Sequence, residues 1–282
     1  MSSRWARFLL ALGEALGSAA WALGLRRRVA LEGLRRAFPQ GTEEERRAMG
    51  RASYRQLGRS LLEIALSRAI RDPQLEALVR FEHWDRFESA RARGRGVVVA
   101  VAHFGNWELV GRASARRGMQ VTAITRALRG RLNQRLLAAR REGGLRELPD
   151  KGSTGAALRL LRRGETLAVM VDQNMRPSRG IFVDFFGEPA CTTPAAAVLA
   201  LRSGAPLLAA FPVRGPDGTH RVGFEGPFAP PPGARGRSAV KVLTQELTRA
   251  VERAVRAHPD HWFWVHRRWK TRPPEGLPPP PR

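Results

Sequence analysis

A histidine followed five positions later by a glutamate, His103 and Glu108 in the segment HFGNWE, is the constellation in this sequence best suited to proton transfer. A carboxylate on one imidazole nitrogen fixes the tautomer, leaves the other nitrogen as a base, and stabilises the imidazolium formed after proton abstraction. Such a pair can take the proton of a substrate hydroxyl. The two groups meet only if the chain reverses between them, and the flanking sequence predicts that reversal. Residues 97–102 form a continuous apolar run with no helical spacing of polar residues, as in a strand buried on both faces. Phe104 and Gly105 then turn the chain, Asn106 is placed as a helix N-cap, and Glu108 falls in the first turn of the following helix. The simpler alternative is a hydrogen-bonded histidine at a strand end, with Glu108 an ordinary first-turn acid favoured by the helix dipole.

The elements that must position this pair read as alternating strands and helices. Strands are predicted over 97–102, 120–125, 166–171, 207–213 and 222–228, with helices over 107–117, 132–142, 155–163 and 238–257. That alternation argues for βαβ units and a parallel α/β sheet, in which ligands bind beyond the carboxyl ends of the strands. His103, Arg126 and Asp172 each sit at such an end, so a parallel sheet brings all three to one cleft. Upstream, Thr42 and Glu45 form a capping box for a helix running to about residue 70, where Asp72-Pro73 ends it. Its Met49, Leu57, Leu61, Ile64 and Ala65 are expected to pack against the α/β body.

Residues 5–25 are apolar except for Arg7 and Glu14 and lead directly into Arg26, Arg27 and Arg28. Three readings stay open: a membrane span with a cytoplasmic carboxyl end, an interfacial helix anchored by Trp5, Phe8 and Trp21, or a core helix. Residues 26–39 alternate arginines with apolar side chains, which predicts a basic amphipathic helix at a membrane surface. The organisation expected is a membrane-associated part over 1–40, a catalytic domain over 41–272 and a disordered proline-rich tail over 273–282.

Of 282 residues, 43% are hydrophobic and 26% charged, which excludes a disordered chain. The 49 Lys and Arg against 25 Asp and Glu give a net charge of +24 and predict an anionic partner: nucleic acid, an acidic membrane, or an acidic carrier protein. A single tyrosine and the lack of RNA-binding or zinc-finger signatures argue against nucleic acid. The one cysteine, Cys191, allows no intramolecular disulfide and reads as a small buried residue rather than a nucleophile. Phe182, Phe185 and Phe186 either line a hydrocarbon channel or belong to the core. The three tryptophans of HWFWVHRRWK, set among basic residues, suit a nucleic-acid stacking platform or a lipid-headgroup patch. His261 and His266 in the same segment have no evident third ligand for a metal.

HFGNWE resembles the His-four-residues-Glu signature of the lysophospholipid acyltransferase superfamily, in the form used by the bacterial lipid A late acyltransferases. The segments LRRRVALEGLRRAFP, Thr125-Arg126, VMVDQN, FVDFFGEPACTTPAA and HWFWVHRRW match in the same order and extend the resemblance over most of the chain. It implies a glycerophosphate-acyltransferase-like central sheet flanked by helices, with an N-terminal membrane-associated helix. It further implies transfer of a fatty acyl group from an acyl carrier protein thioester, or acyl-CoA, to a hydroxyl of a lipid A precursor, without cofactor or metal. The catalytic domain is then expected on the cytoplasmic side of the bacterial inner membrane. His103 and Glu108 are the catalytic residues so implied, and Asn106, Arg126, Arg140 and Asp172 the substrate-binding ones. Arg126, Arg140 or backbone amides near Gly105 are the donors expected for the tetrahedral oxyanion. The chain departs from the family at Glu32-Gly33-Leu34, which replaces an Asn-Leu pair. Two alternatives remain: another acceptor such as a mannosylated phosphoinositide or an amino-acid lipid, and a non-enzymatic nucleic-acid-binding protein.

Overall fold

The apolar runs assemble into a seven-stranded sheet in a computed structural model that describes residues 3–67, 70–125, 137–138 and 140–274. Its strands are β1 (Val79–Glu82), β2 (Val97–Val101), β3 (Val121–Thr125), β4 (Arg146–Pro149), β5 (Thr166–Met170), β8 (Leu207–Arg214) and β9 (His220–Phe228), in the order β1-β9-β8-β2-β5-β3-β4. Strands β8, β2, β5, β3 and β4 run parallel, and only the β8–β9 pairing is antiparallel. A separate hairpin joins β6 (Ile181–Phe185) to β7 (Glu188–Thr192). The mixed α/β class and the mostly parallel sheet thus follow the alternation in the sequence. The short edge strands β1 and β4 and the β6–β7 hairpin carry no comparable apolar run, and periodicity does not reveal them.

Helices cover both faces, which is why β2 is apolar at every position. Val98 and Ala100 point into a core shared with α2 (Arg27–Ala37), α7 (Thr154–Arg162), α8 (Ala195–Ser203) and α9 (Gly236–Ala257). Val97 and Val99 point the other way, toward α4 (Asp72–Leu78), α5 (Trp84–Arg91) and α6 (Trp107–Arg116). The tryptophans of the C-terminal segment belong to the first core: Trp262, Trp264 and Trp269 are all buried. They are packing groups, not a surface platform. Phe185 and Phe186 join them, with Phe185 stacked on Trp269 at 5.5 Å, so these rings are core rather than channel.

The N-terminal helices depart from the expected arrangement in an instructive way. Helix α1 (Ser3–Ala22) packs along α3 (Glu43–Leu66) at backbone contact, because Gly13 and Gly17 face Gly58 and Tyr54. A Cβ on Gly17 would lie 2.0 Å from the Tyr54 carbonyl oxygen. Glu14, the acid inside the apolar stretch, is ion-paired to Arg59 and Arg55 of α3. Among the described residues no single helix is long and apolar enough to cross a membrane; residues 8–22 and 27–37 pass only as a pair bent by 91°. The apolar face of α2 is covered by protein, with Leu31 and Leu34 buried and Gly33 against Trp264, where an added Cβ would approach the ring to 3.2 Å. The capping box forms as read, with Thr42 N donating to Glu45 Oε2 at 2.6 Å. Helix α3 nevertheless stops at Leu66, and Asp72-Pro73 opens α4 rather than closing α3, since a first-turn proline lacks only an N–H that needs no partner. Leu61 is exposed, not packed. Most of the proline-rich tail lies outside the described residues.

One buried ion pair fixes α3 against the sheet. Arg214 at the end of β8 donates to both oxygens of Glu63 at 2.6 Å, and His220 Nε2 of β9 lies 3.3 Å from Glu63 Oε2. Asn106 Nδ2 donates to the same carboxylate at 2.6 Å, tying the start of α6 into the cluster. Burial alone would raise the Glu63 carboxyl, yet Arg214 and His220 hold it down to about 2. A carboxyl held low stabilises the fold above its unfolded range, near pH ~4.3, and that contribution is lost as pH falls toward 2. Glu63→Ala strands a buried guanidinium and is expected to cost about 3–5 kcal/mol in chemical denaturation at neutral pH. The loss should shrink toward pH 2, where the wild-type carboxylate is protonated as well; an equal loss at both pH values would show that the charge is not what stabilises this junction.

Candidate active site

His103 and Asp172 stand two residues beyond adjacent parallel strands that pair Val101 with Met170. In-register parallel strands present equivalent positions side by side, so the two side chains meet. His103 Nδ1 lies 2.8 Å from Asp172 Oδ1, and the His103 backbone N–H donates to Asp172 Oδ2 at 2.8 Å. The indole Nε1 of Trp262 donates to Oδ2 as well, at 2.9 Å. Burial would raise the Asp172 carboxyl, but the His103 ring and these hydrogen bonds outweigh it and hold it down to about 2. A carboxylate only accepts, so Nδ1 carries the proton and Nε2 keeps its lone pair. That is the tautomer a general base requires.

The turn after β2 is clamped by the C-terminal segment. Gly105 N donates to His261 O at 2.8 Å and Phe263 N to His103 O at 3.1 Å, forming a short antiparallel bridge. Gly105 has φ 57°, and a Cβ there would lie 2.1 Å from the Pro212 carbonyl oxygen, so both conformation and space demand glycine. The His103 ring lies between Trp107 and Phe263, with centroids at 5.0 and 5.9 Å.

Glu108 does not hold the ring. It faces the cavity from the first turn of α6, where Arg140 takes both of its oxygens, Nε at 2.9 Å from Oε2 and Nη2 on Oε1. Trp107 Nε1 also donates to Glu108 Oε1 at 3.2 Å. The carboxylate expected on the imidazole is therefore Asp172, because strand register, rather than the five-residue spacing, sets what reaches Nδ1. Arg140 also donates to Glu147 at 2.7 Å, so its charge is neutralised by protein rather than held open for substrate. Burial works against that charge, but Glu108 and Glu147 together raise the guanidinium above its ordinary value. Asn106 is not a substrate ligand either. It is fully buried, its Oδ1 accepts from Leu109 N at 3.1 Å as the N-cap, and its amide is engaged by Glu63. Arg126 lies outside the described residues. Cys191 is buried, and burial pushes its thiol up.

His103 opens onto a cavity of about 590 Å³ between the sheet and α6. Val99, Val101, Val121, Ala123, Ala168 and Ala210 form its floor, and Val110, Gly111 and Ser114 of α6 its roof. Phe81, Met119 and Phe224 line it further along the sheet, and its polar residues include Gln173, Arg179 and His266. Sequence reasoning weighed His266 only as half of a metal pair with His261, and passed over Gln173 beside Asp172 in VMVDQN as a site residue. Gln173 Nε2 lies 3.1 Å from His103 Nε2, so the carboxamide covers the basic nitrogen.

A strand-end histidine held by a buried carboxylate at the mouth of an apolar cavity suits acyl transfer, and comparison with known proteins agrees. Residues 5–271 match the model of the bacterial lipid A biosynthesis acyltransferases. The chain is 28% identical over 272 residues to the lipid A biosynthesis lauroyltransferase of Escherichia coli, covering 95% of this chain and 86% of that protein. It is 28% identical over 268 residues to the palmitoleoyltransferase of the same organism, covering 93% and 85%. A phosphatidylinositol mannoside acyltransferase of Mycobacterium tuberculosis is 30% identical over 194 residues, covering 66% of this chain and 58% of that one. With a family model spanning nearly its whole length, the chain belongs to the bacterial lipid A biosynthesis acyltransferases and is an O-acyltransferase.

Proposed function

We propose that this protein transfers a fatty acyl group from a thioester donor to a hydroxyl of a lipid A precursor, with His103 as general base and Asp172 as the carboxylate that orients it. The observation that carries this reading is the position of His103, its Nδ1 bound by Asp172 and its Nε2 turned to an apolar cavity sized for a hydrocarbon chain. The acceptor oxygen bonds to the acyl carbon as its proton passes to Nε2. The C–S bond then breaks, and Nε2–H returns the proton to the departing thiolate, so no acyl group is carried by the protein. The net charge of +24 suits an acidic acyl carrier protein as donor, and also anionic lipid as acceptor. A mannosylated phosphoinositide acceptor is the second reading, favoured by the mycobacterial relative.

Membrane association follows from the same reading, in an interfacial mode at the cytoplasmic face of the inner membrane. Phe8, Leu12 and Leu16 form an exposed stripe along α1, and Leu61 of α3 and Leu23 and Leu25 before Arg26 are exposed as well. The opposite face of α1 is joined to α3 by glycine contacts and by Glu14, which supports a helix lying on the bilayer over one crossing it.

With labelled acyl donors and purified acceptors, His103→Ala is expected to abolish transfer and Asp172→Asn to lower kcat by about 10³–10⁴. Glu108→Ala and Arg140→Ala should lower transfer by similar factors and be no worse combined, since each removes the same ion pair; additive losses would separate them. Ala168→Met fills the cavity floor and should move the preferred donor toward shorter chains across a graded series. An unchanged optimum would place the chain elsewhere. In flotation with anionic phospholipid vesicles, Leu12→Glu with Leu16→Glu should abolish co-migration while leaving thermal unfolding in place.

A further inference from the structure

The reaction needs hydrogen-bond donors for the tetrahedral oxyanion, and those named from the sequence are engaged or lie outside the described residues. Gly105 N is held by His261 O, and the Arg140 guanidinium is divided between Glu108 and Glu147. Trp107 Nε1 donates to Glu108. Two other groups face the same cavity as His103. The Gln173 carboxamide makes its one hydrogen bond among the described residues to His103 Nε2, at 3.1 Å. An acceptor hydroxyl must displace it to reach the base, and the displaced N–H then stays beside the reacting carbon. The second group is His266, whose Nε2 accepts from Asn174 N at 2.8 Å. An imidazole that accepts through Nε2 is neutral and carries its proton on Nδ1. Burial, first among the causes, lowers its pKa to about 4, with Arg268 and His103 acting in the same direction against Asp172. The ring stays neutral through the working pH range and does not compete with His103 for the proton. The bond from Asn174 N is its one side-chain hydrogen bond among the described residues, which leaves Nδ1–H for the cavity that His266 lines.

From this arrangement we infer that the Gln173 carboxamide and His266 Nδ1–H are the donor pair that receives the acyl oxyanion. This assignment rests on the acyl-transfer reading above. As the acceptor oxygen bonds to the thioester carbon, the carbonyl π pair moves onto oxygen, where the two N–H groups meet it. It returns as the C–S bond breaks, and neither donor gives up its proton.

The test compares steady-state acyl transfer by wild type, Gln173→Met, His266→Phe and His266→Gln, with thermal unfolding recorded for each. Gln173→Met and His266→Phe should each lower kcat by about 10²–10³ with KM changed by less than about threefold, as for loss of one oxyanion donor. His266→Gln offers an acceptor for Asn174 N and an N–H for the cavity, so it should restore most of the rate. Affinity for an acyl thioether, which lacks the carbonyl, should be unchanged in all three. Wild-type kcat in a folded Gln173→Met or His266→Phe, or a loss confined to KM, overturns the assignment. If His266→Phe does not fold, Gln173→Met and His266→Gln decide it: full rate in the first, or a loss above 10²-fold in a folded second, is equally fatal. Undiminished transfer by His103→Ala, or none by wild type to either lipid class, sinks the reading of the site and this assignment with it.

Discussion

The buried carboxylate of Asp172 is the interaction on which the site depends. A charge removed from water persists only when its lone pairs are met by donors, and the donors here come from two distant parts of the chain. The backbone and ring of His103 arrive from the end of β2, and the Trp262 indole arrives from the C-terminal segment. Satisfying the charge therefore fixes the β2 turn, the β5 end and the C-terminal bridge together. The Nδ1-protonated tautomer of His103 is a by-product of that electrostatic requirement. The same logic operates behind the site, where Glu63 joins α3, the α6 N-cap and β8 through Asn106 and Arg214. Two carboxylates, Asp172 at His103 and Glu63 at Asn106, thus hold the two ends of the same turn.

The two faces of the sheet have been put to different uses, and side-chain size accounts for the difference. On one face the large rings Phe185, Trp262, Trp264 and Trp269 fill the space above small and aliphatic strand residues and leave a solid core. On the other, small residues, Ala123, Ala168 and Ala210 of the sheet and Gly111 and Ser114 of α6, line the cavity. An unfilled cavity forgoes dispersion contacts along its apolar walls.

Arginine has several physical roles in this chain, and its abundance should not be taken for one function. Arg140, half-buried, and Arg214, buried, are partners of specific carboxylates, while Arg268 is wholly buried and donates to the Cys191 carbonyl and the Thr192 hydroxyl. Burial lowers the Arg268 pKa to about 10. Arg214 and Arg268 are sealed in the interior, and Arg140, which lines the cavity, is committed to Glu108 and Glu147. Only the arginines that remain on the surface are free to meet an anionic partner.

The sequence by itself determined the alternation of strands and helices, the capping box at Thr42 and Glu45, and the placement of His103 and Asp172 at strand ends. These follow from local periodicity and local hydrogen bonding, which neighbouring residues specify without help. It did not determine which acid reaches His103. Glu108 is near in sequence, but a first-turn side chain on α6 is directed into the cavity, whereas Asp172 is brought alongside by the pairing of Val101 with Met170. Register between strands separated by some seventy residues is a tertiary quantity, and so is the burial of Asn106 and of the three C-terminal tryptophans. Composition made those tryptophans look like a surface platform, because an aromatic ring beside arginines suits an interface as well as a core. Only the packing of Phe185 and α9 around them, and the buried charge of Asp172 waiting for an indole donor, decided that they belong inside.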